Sequence, residues 1–292
     1  MTSGDKTFTK LSCSPLSDDD FDFTCYDKDD LEKLKETYNQ RHKDDPIKST
    51  DPKIIWNTLR DKYHNVCSSE ACWLRREFVP SDLGKQLLES FAPQHPDSWN
   101  KNDRTWLSSS DIQVVMKQYE KRYTCFEFIG PSPIDYYKED SYRGGKRVWP
   151  ELYDFNVENH IKSNKFKVGI VFNLDDHTEG GSHWVALFLN LRKKVLYYFD
   201  SVKTSPDNPV PFEIKKLVKC IQTQCSKLGI DIDYYNNDKV VHQRKDTECG
   251  VYCLFFIINM LEDKISWNDL MTERIKDDDM HTFRGMYFNS EI

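Results

Sequence analysis

The eight residues Val251–Ile258 form the longest uninterrupted apolar run in this 292-residue chain, inside "TECGVYCLFFIINM" (247–260). A segment apolar on every side has to be buried within a sizeable core. It is far too short to span a bilayer, which takes about 20 residues. Other elements must therefore wrap around it, and a composition of 38% hydrophobic and 13% aromatic residues can supply them. The first 25 residues show no basic start followed by an apolar stretch, so no signal peptide is expected. The expectation is a soluble, cytoplasmic protein with no membrane contact.

Nine cysteines at irregular spacing, an odd number, do not read as a disulfide framework. Most are expected to be small buried hydrophobes. "HNVCSSEAC" brings His64, Cys67 and Cys72 close together but lacks a fourth zinc ligand, so no metal and no cofactor are expected. A net charge of -7 argues against a nucleic-acid partner, since phosphate binding needs a basic face.

Along the chain, residues 1–25 read as a disordered N-terminus. An acidic run (Asp18, Asp19, Asp20, Asp22, Asp27, Asp29, Asp30) is opposed only by Lys28, and reads as a solvated segment with an acidic helix start. Residues 26–100 read as a helical arm domain. "DDLEKLKETYNQRH" places Leu31, Leu34 and Tyr38 on one face. "DPKIIWNTLRDKYH" has Pro52 at a first helical position and Ile54, Ile55, Trp56, Leu59 and Tyr63 on another broad face. "FAPQHPDSWNKNDRTW" (91–106) breaks the composition. Beyond it, 101–292 reads as one mixed α and β domain. Strands are expected at 167–174, 183–191 and 194–200, with another running from "DIDYYNN" into "KVVHQ" with an interruption, and helices at 109–123, 211–229 and 249–262.

Cys249 opens the apolar helix, with Thr247 or Asp246 as a natural N-cap. A thiolate is the nucleophilic form, and a helix start offers partial positive charge and unpaired N–H groups. Taken alone, a cysteine there also fits ordinary packing. Gly250 beside it allows another backbone to approach. A base is available in His183, at the start of the strand 183–191. With a two-residue turn at Arg192–Lys193, Leu191 pairs with Lys194 and His183 falls opposite Val202. Asp200 is then a diagonal neighbour on the same face, about 7–8 Å away and within bridging reach. A carboxylate so placed fixes an imidazole's tautomer and stabilises its cation. Gln243, six residues before Cys249, can aim its amide at a developing oxyanion, a contribution of about 3–4 kcal/mol.

His183-Trp184, Asp200, and Gln243-x5-Cys249-Gly250, in that order and spacing, resemble the cysteine proteases of the SUMO-protease and adenovirus-protease type. "HQRKDTECGVYCLFFI" carries a particular likeness to the African swine fever virus polyprotein-processing protease and its relatives in large DNA viruses. The resemblance covers roughly 105–292. It implies an α+β, papain-like cysteine protease core carrying the helical arm. It also implies a cysteine endopeptidase with Cys249 as nucleophile, His183 as base and acid, Asp200 as orienting acid and Gln243 as oxyanion donor. Cleavage after Gly-Gly is implied, with Trp184 and Trp106 as flat walls that exclude a Cβ, in a viral structural polyprotein within the host cytoplasm or virion. The alternatives are an isopeptidase acting on a ubiquitin-like modifier and an acetyltransferase using the same triad.

Overall fold

The computed structural model describes residues 8–17, 20–141 and 144–290. The chain divides into two compact units. One takes the described residues of Met1–His95 together with those of Arg284–Ile292; the other is Pro96–Phe283. The described residues of Arg284–Ile292 thus group with the N-terminal unit, where 101–292 was expected to be a single domain.

In the N-terminal unit, α1 (Lys28–Arg41), α2 (Pro52–Tyr63) and α3 (Ser81–Leu88) are helices for reasons visible locally. Asp27 caps α1 by accepting from the Asp30 N–H at 2.7 Å. Asp51 caps α2 ahead of Pro52, accepting from the Ile54 N–H at 3.0 Å. Part of the acidic run is therefore a cap and first helical turn; Asp18 and Asp19 lie outside the described residues. Leu31, Leu34 and Tyr38 are buried, joined by Ile55, Trp56, Leu59, Trp73 and Phe91 in one core. Ile54 departs from expectation and is 52% exposed. It sits about 100° round the helix from Ile55, just off the packed face.

Two sequence expectations fail in this unit. Residues 1–7 lie outside the described residues, but within the rest of the segment expected to be disordered Leu11 and Cys25 are buried. Cys13 and Cys25 form a disulfide, and so do Cys67 and Cys72. An odd count and irregular spacing say nothing about which Cα atoms come within 5.2 and 5.5 Å of each other, as these do. Cys67 and Cys72 are thus bonded to one another and are not thiolates available to a metal.

The second unit runs α4 (Ser109–Arg122), β1 (Phe126–Pro133), β2 (Glu139–Asp140), β3 (Lys146–Arg147), α5 (Pro150–Tyr153), α6 (Val157–Lys162), β4 (Lys167–Asn173), β5 (Trp184–Asn190), β6 (Val195–Phe199), α7 (Phe212–Lys227), β7 (Asp233–Asn236), α8 (Cys249–Leu261) and α9 (Trp267–Thr272), and ends within α10 (Asp277–Tyr287). Its main sheet has the order β1-β4-β5-β6-β7. The outer pairs β1/β4 and β6/β7 are parallel, and the inner pairs are antiparallel. Strand alternation sorts the two faces. Val185, Leu187 and Leu189 of β5 join Leu196 and Tyr198 of β6 in a core with Ile214, Leu217 and Ile221 of α7. Phe188 and Phe199 turn the other way, onto Phe256 of α8. Twelve of the 13 residues of α8 are buried, which answers the apolar run. Gly169 makes room for it: a Cβ there would lie 2.8 Å from Ile257 Cγ2 and 3.0 Å from the Phe126 ring. The strand expected from "DIDYYNN" into "KVVHQ" forms only in its first part, as β7; the end of "KVVHQ" is instead held by the Ser201 carbonyl, which accepts from the His242 and Gln243 N–H groups.

Candidate active site

The hairpin of β5 and β6 sets the site's geometry. Asn190 pairs with Val195 and Ala186 with Phe199, and this register, continued outward, sets Leu191 opposite Lys194 and His183 opposite Val202. That is the expected alignment, closed by a connection in which Lys194 adopts φ 56°. His183 is the last residue before β5 and Asp200 the first after β6, so both project from one end of the sheet. His183 Nε2 lies 2.7 Å from Asp200 Oδ1. The remaining ring nitrogen, Nδ1, is left for Cys249, which lies close enough to the imidazole to favour its charged form. Burial opposes charge on the ring, but the bonds to Asp200 and Cys249 outweigh it and raise the His183 pKa to about 10.

Cys249 is a free thiol, 2% exposed, and the first residue of α8. Neither Thr247 nor Asp246 caps the helix. Glu248 is the N-cap residue and makes no side-chain cap bond. The expectation followed capping preference, whereas here the chain enters the helix straight from the loop that carries Gln243. As a result no capping side chain competes for the first-turn N–H groups beside the sulfur.

Gln243 is buried and clamped at both ends. Its Oε1 accepts from Ser201 Oγ at 2.6 Å, and its Nε2 donates to the Lys245 carbonyl at 2.6 Å. An amide carries two N–H bonds, so one remains for an oxyanion. Ser201, next to Asp200, was not singled out from sequence. The pairing of an acid with a following hydroxyl at a strand end was the signal available.

Asp200 is itself 2% exposed. Its Oδ1 also accepts from the Val202 N–H at 3.0 Å, and its Oδ2 accepts from Asn208 Nδ2 at 3.1 Å. Asn237, fully buried, grips the Asp200 backbone twice, accepting from its N–H at 2.8 Å and donating to its carbonyl at 2.6 Å. Neither asparagine was visible from sequence, because each lies in a polar loop with no periodic pattern.

Trp184 is 6% exposed and donates its Nε1–H to the Leu107 carbonyl at 3.0 Å. Together they press on Gly250: a Cβ there would stand 3.0 Å from Leu107 Cβ and 3.3 Å from Trp184 Cδ1. Gly250 is thus closely approached, by side chains where another backbone was expected. Trp106 is 46% exposed, not a core residue. It lines, with Trp184, Trp149, Asp175 and Gly181, a cleft of about 620 Å³. His177, in the polar loop before His183, borders the same cleft and bonds Asp135 at 2.7 Å.

Among the described residues no helix is long and apolar enough to cross a membrane. Residues 155–292 match the model of the Ulp1 protease family, C-terminal catalytic domain. A protein of Acanthamoeba polyphaga mimivirus described as a thiol protease is 27% identical over 96% of this chain and 93% of its own length. A SUMO-1 cysteine protease of African swine fever virus is 27% identical over 85% of this chain and 92% of its own. The crystal structure of an African swine fever virus protease shares the fold, with a TM-score of 0.66 at 23% identity over 97% of each chain.

Proposed function

We propose, for a chain that is a cysteine peptidase of the Ulp1 protease type, that it cuts protein substrates after Gly-Gly, with Cys249, His183, Asp200 and Gln243 as its machinery. The observation that carries this reading is the His183 ring bonded to Asp200 at 2.7 Å, with Cys249 close enough to act on the charge of the same ring. In the reaction the sulfur, its proton already held on His183 Nδ1, attacks the scissile carbonyl carbon. The oxygen that becomes negative is met by the free N–H of Gln243 and the Cys249 backbone N–H. Collapse expels the amine, which takes the proton from His183 and leaves a thioester on Cys249. Water then attacks the thioester, giving a proton to His183, and the thiol reforms as the acid departs. Asp200 holds the ring so that one nitrogen faces sulfur throughout.

Gly-Gly selectivity draws on the tryptophans. Trp184 is locked by Leu107, and Trp106 stands exposed on the same cleft. Two flat rings across an extended backbone leave no room for a Cβ. The substrates we propose are structural precursors of a large DNA virus, cut in the host cytoplasm or in the particle, because the relatives are viral. The helical N-terminal unit would be an accessory arm for substrate or particle. Release of a ubiquitin-like modifier is the second reading, drawn from the name of the African swine fever virus relative.

The test is mass spectrometry of products from Gly-Gly-X peptides, a linear precursor and a modifier conjugate. Wild-type protein is expected to cut after Gly-Gly and Cys249→Ala to lose all cleavage. A Gly→Ala change just before the cut should stop turnover. Equal cleavage by Cys249→Ala would end the catalytic assignment, and indifference to the alanine would end the selectivity. Preference for the conjugate over the precursor would favour the second reading.

A further inference from the structure

We infer that Asn208 is a positioning residue for the Asp200 carboxylate and, through it, for His183; the inference rests on the roles proposed above for those two residues. Asp200 receives three hydrogen bonds. His183 Nε2 and the Val202 N–H both reach Oδ1, at 2.7 and 3.0 Å. These two hold one oxygen only and leave Oδ2 without a partner. Asn208 Nδ2, 3.1 Å from Oδ2, is the side-chain contact that fixes its plane.

The loop is built to present that amide. Lys203 takes φ 63°, a left-handed conformation that a side chain rarely adopts, and its N–H bonds back to the Asp200 carbonyl at 2.8 Å. Its own carbonyl accepts the other Asn208 amide hydrogen at 2.8 Å. Ser205 and Asn208 close the loop with reciprocal backbone bonds of 2.9 and 3.1 Å. Both N–H bonds of one amide are therefore committed, one to the loop and one to Asp200. An aspartate at this position could not donate at neutral pH, and an alanine would leave a buried carboxylate oxygen without its partner.

The experiment follows two rates on the full-length protein: iodoacetamide alkylation of Cys249, located by peptide mass spectrometry, and cleavage of a Gly-Gly-X peptide. Asn208→Ala is expected to slow both about tenfold, or about 1.4 kcal/mol, with KM unchanged. Asn208→Asp should be slower still at neutral pH and regain rate relative to wild type on acidification, as its carboxyl protonates and donates to Oδ2. Asp200→Ala/Asn208→Ala should match Asp200→Ala alone, since without the carboxylate Asn208 has nothing to hold. Wild-type rates in both Asn208 variants, or losses that multiply in the double variant, would overturn the inference and leave Asn208 a loop residue only. Alkylation separates this from the substrate reading. A Cys249 that reacts in a His183-dependent, Asn208-dependent way while Gly-Gly-X peptides stay whole would support Asn208 and refute the selectivity. Alkylation indifferent to His183→Ala would overturn both.

Discussion

Two buried carboxylates, one in each unit, are built alike and differ in what they face. Glu70 in the N-terminal unit is 3% exposed; it accepts from Trp56 Nε1 at 2.6 Å, from the Cys25 N–H at 3.0 Å and from Thr24 Oγ1. Asp200 is as deeply buried and also accepts three bonds. Every donor to Glu70 is a neutral group with no place to send a proton. One donor to Asp200 is an imidazole whose other nitrogen meets a thiol at a helix start. Burial and hydrogen bonding alone make a structural knot; a titratable relay at its edge turns the same carboxylate into part of a reactive site.

The strongest way to break this contrast is the same change, carboxylate to amide, at both positions. Asp200→Asn should cost about 10²-fold in kcat/KM, within the range that a general base and its orienter contribute. The cause is visible in His183. With the charge of Asp200 gone, the imidazolium loses part of its support and the ring's pKa falls from about 10. The leaving amine needs a proton from the imidazolium, so the alkaline limb of the pH–rate profile should move to lower pH. A full-rate Asp200→Asn enzyme, or an alkaline limb that stays in place, would mean that Asp200 is as purely structural as Glu70.

How far the sequence could reveal this difference depends on distance along the chain. His183 and Asp200 are 17 residues apart and joined by one hairpin, so register arithmetic brought them together before any coordinates. The apolar face count of α8 and the Pro and Gly flanking α7 were equally local signals. Glu70 reaches its partners across 46, 45 and 14 residues, through loops with no period to read. The Cys13–Cys25 and Cys67–Cys72 bonds escaped for a related reason, since thiol pairing depends on backbone approach and not on spacing. Gln243 was found by its offset from Cys249, but its support by Ser201 comes from 42 residues away. The chemistry was legible where one turn made it, and its supports were not, because loops of irregular sequence carry them.

The second prediction concerns the arm. Glu70→Gln keeps one acceptor oxygen, which can serve the Cys25 N–H, and turns an NH₂ toward Trp56 and Thr24. The Thr24 hydroxyl can rotate to accept, but an indole N–H only donates. One buried donor is orphaned, at a cost of about 1–3 kcal/mol. Hydrogen exchange in α1 and α2, read by mass spectrometry, should rise accordingly, while the pH–rate profile for cleavage of a Gly-Gly-X peptide keeps its alkaline limb. Unchanged protection in α1 and α2 would show that the three bonds to Glu70 do not hold the arm.

The smallest effect is a pH dependence in the arm with its own sign. Burial raises the pKa of Glu70, and the bonds from Thr24, Trp56 and Cys25 only partly offset it. The folded arm therefore binds this proton more tightly than the unfolded chain does. Between the ordinary glutamate value of 4.5 and the raised folded value, stability falls as pH climbs. It is fully present below that window. One proton limits the slope to about 1.4 kcal/mol per pH unit. Wild-type protein should gain protection in α1 and α2 relative to Glu70→Gln as pH drops from neutrality towards 4.5, because glutamine has no proton to bind. A gap between the two proteins that stays flat or closes over that range would show Glu70 already charged and fully paid in hydrogen bonds, and the two carboxylates would then be more alike than burial alone makes them.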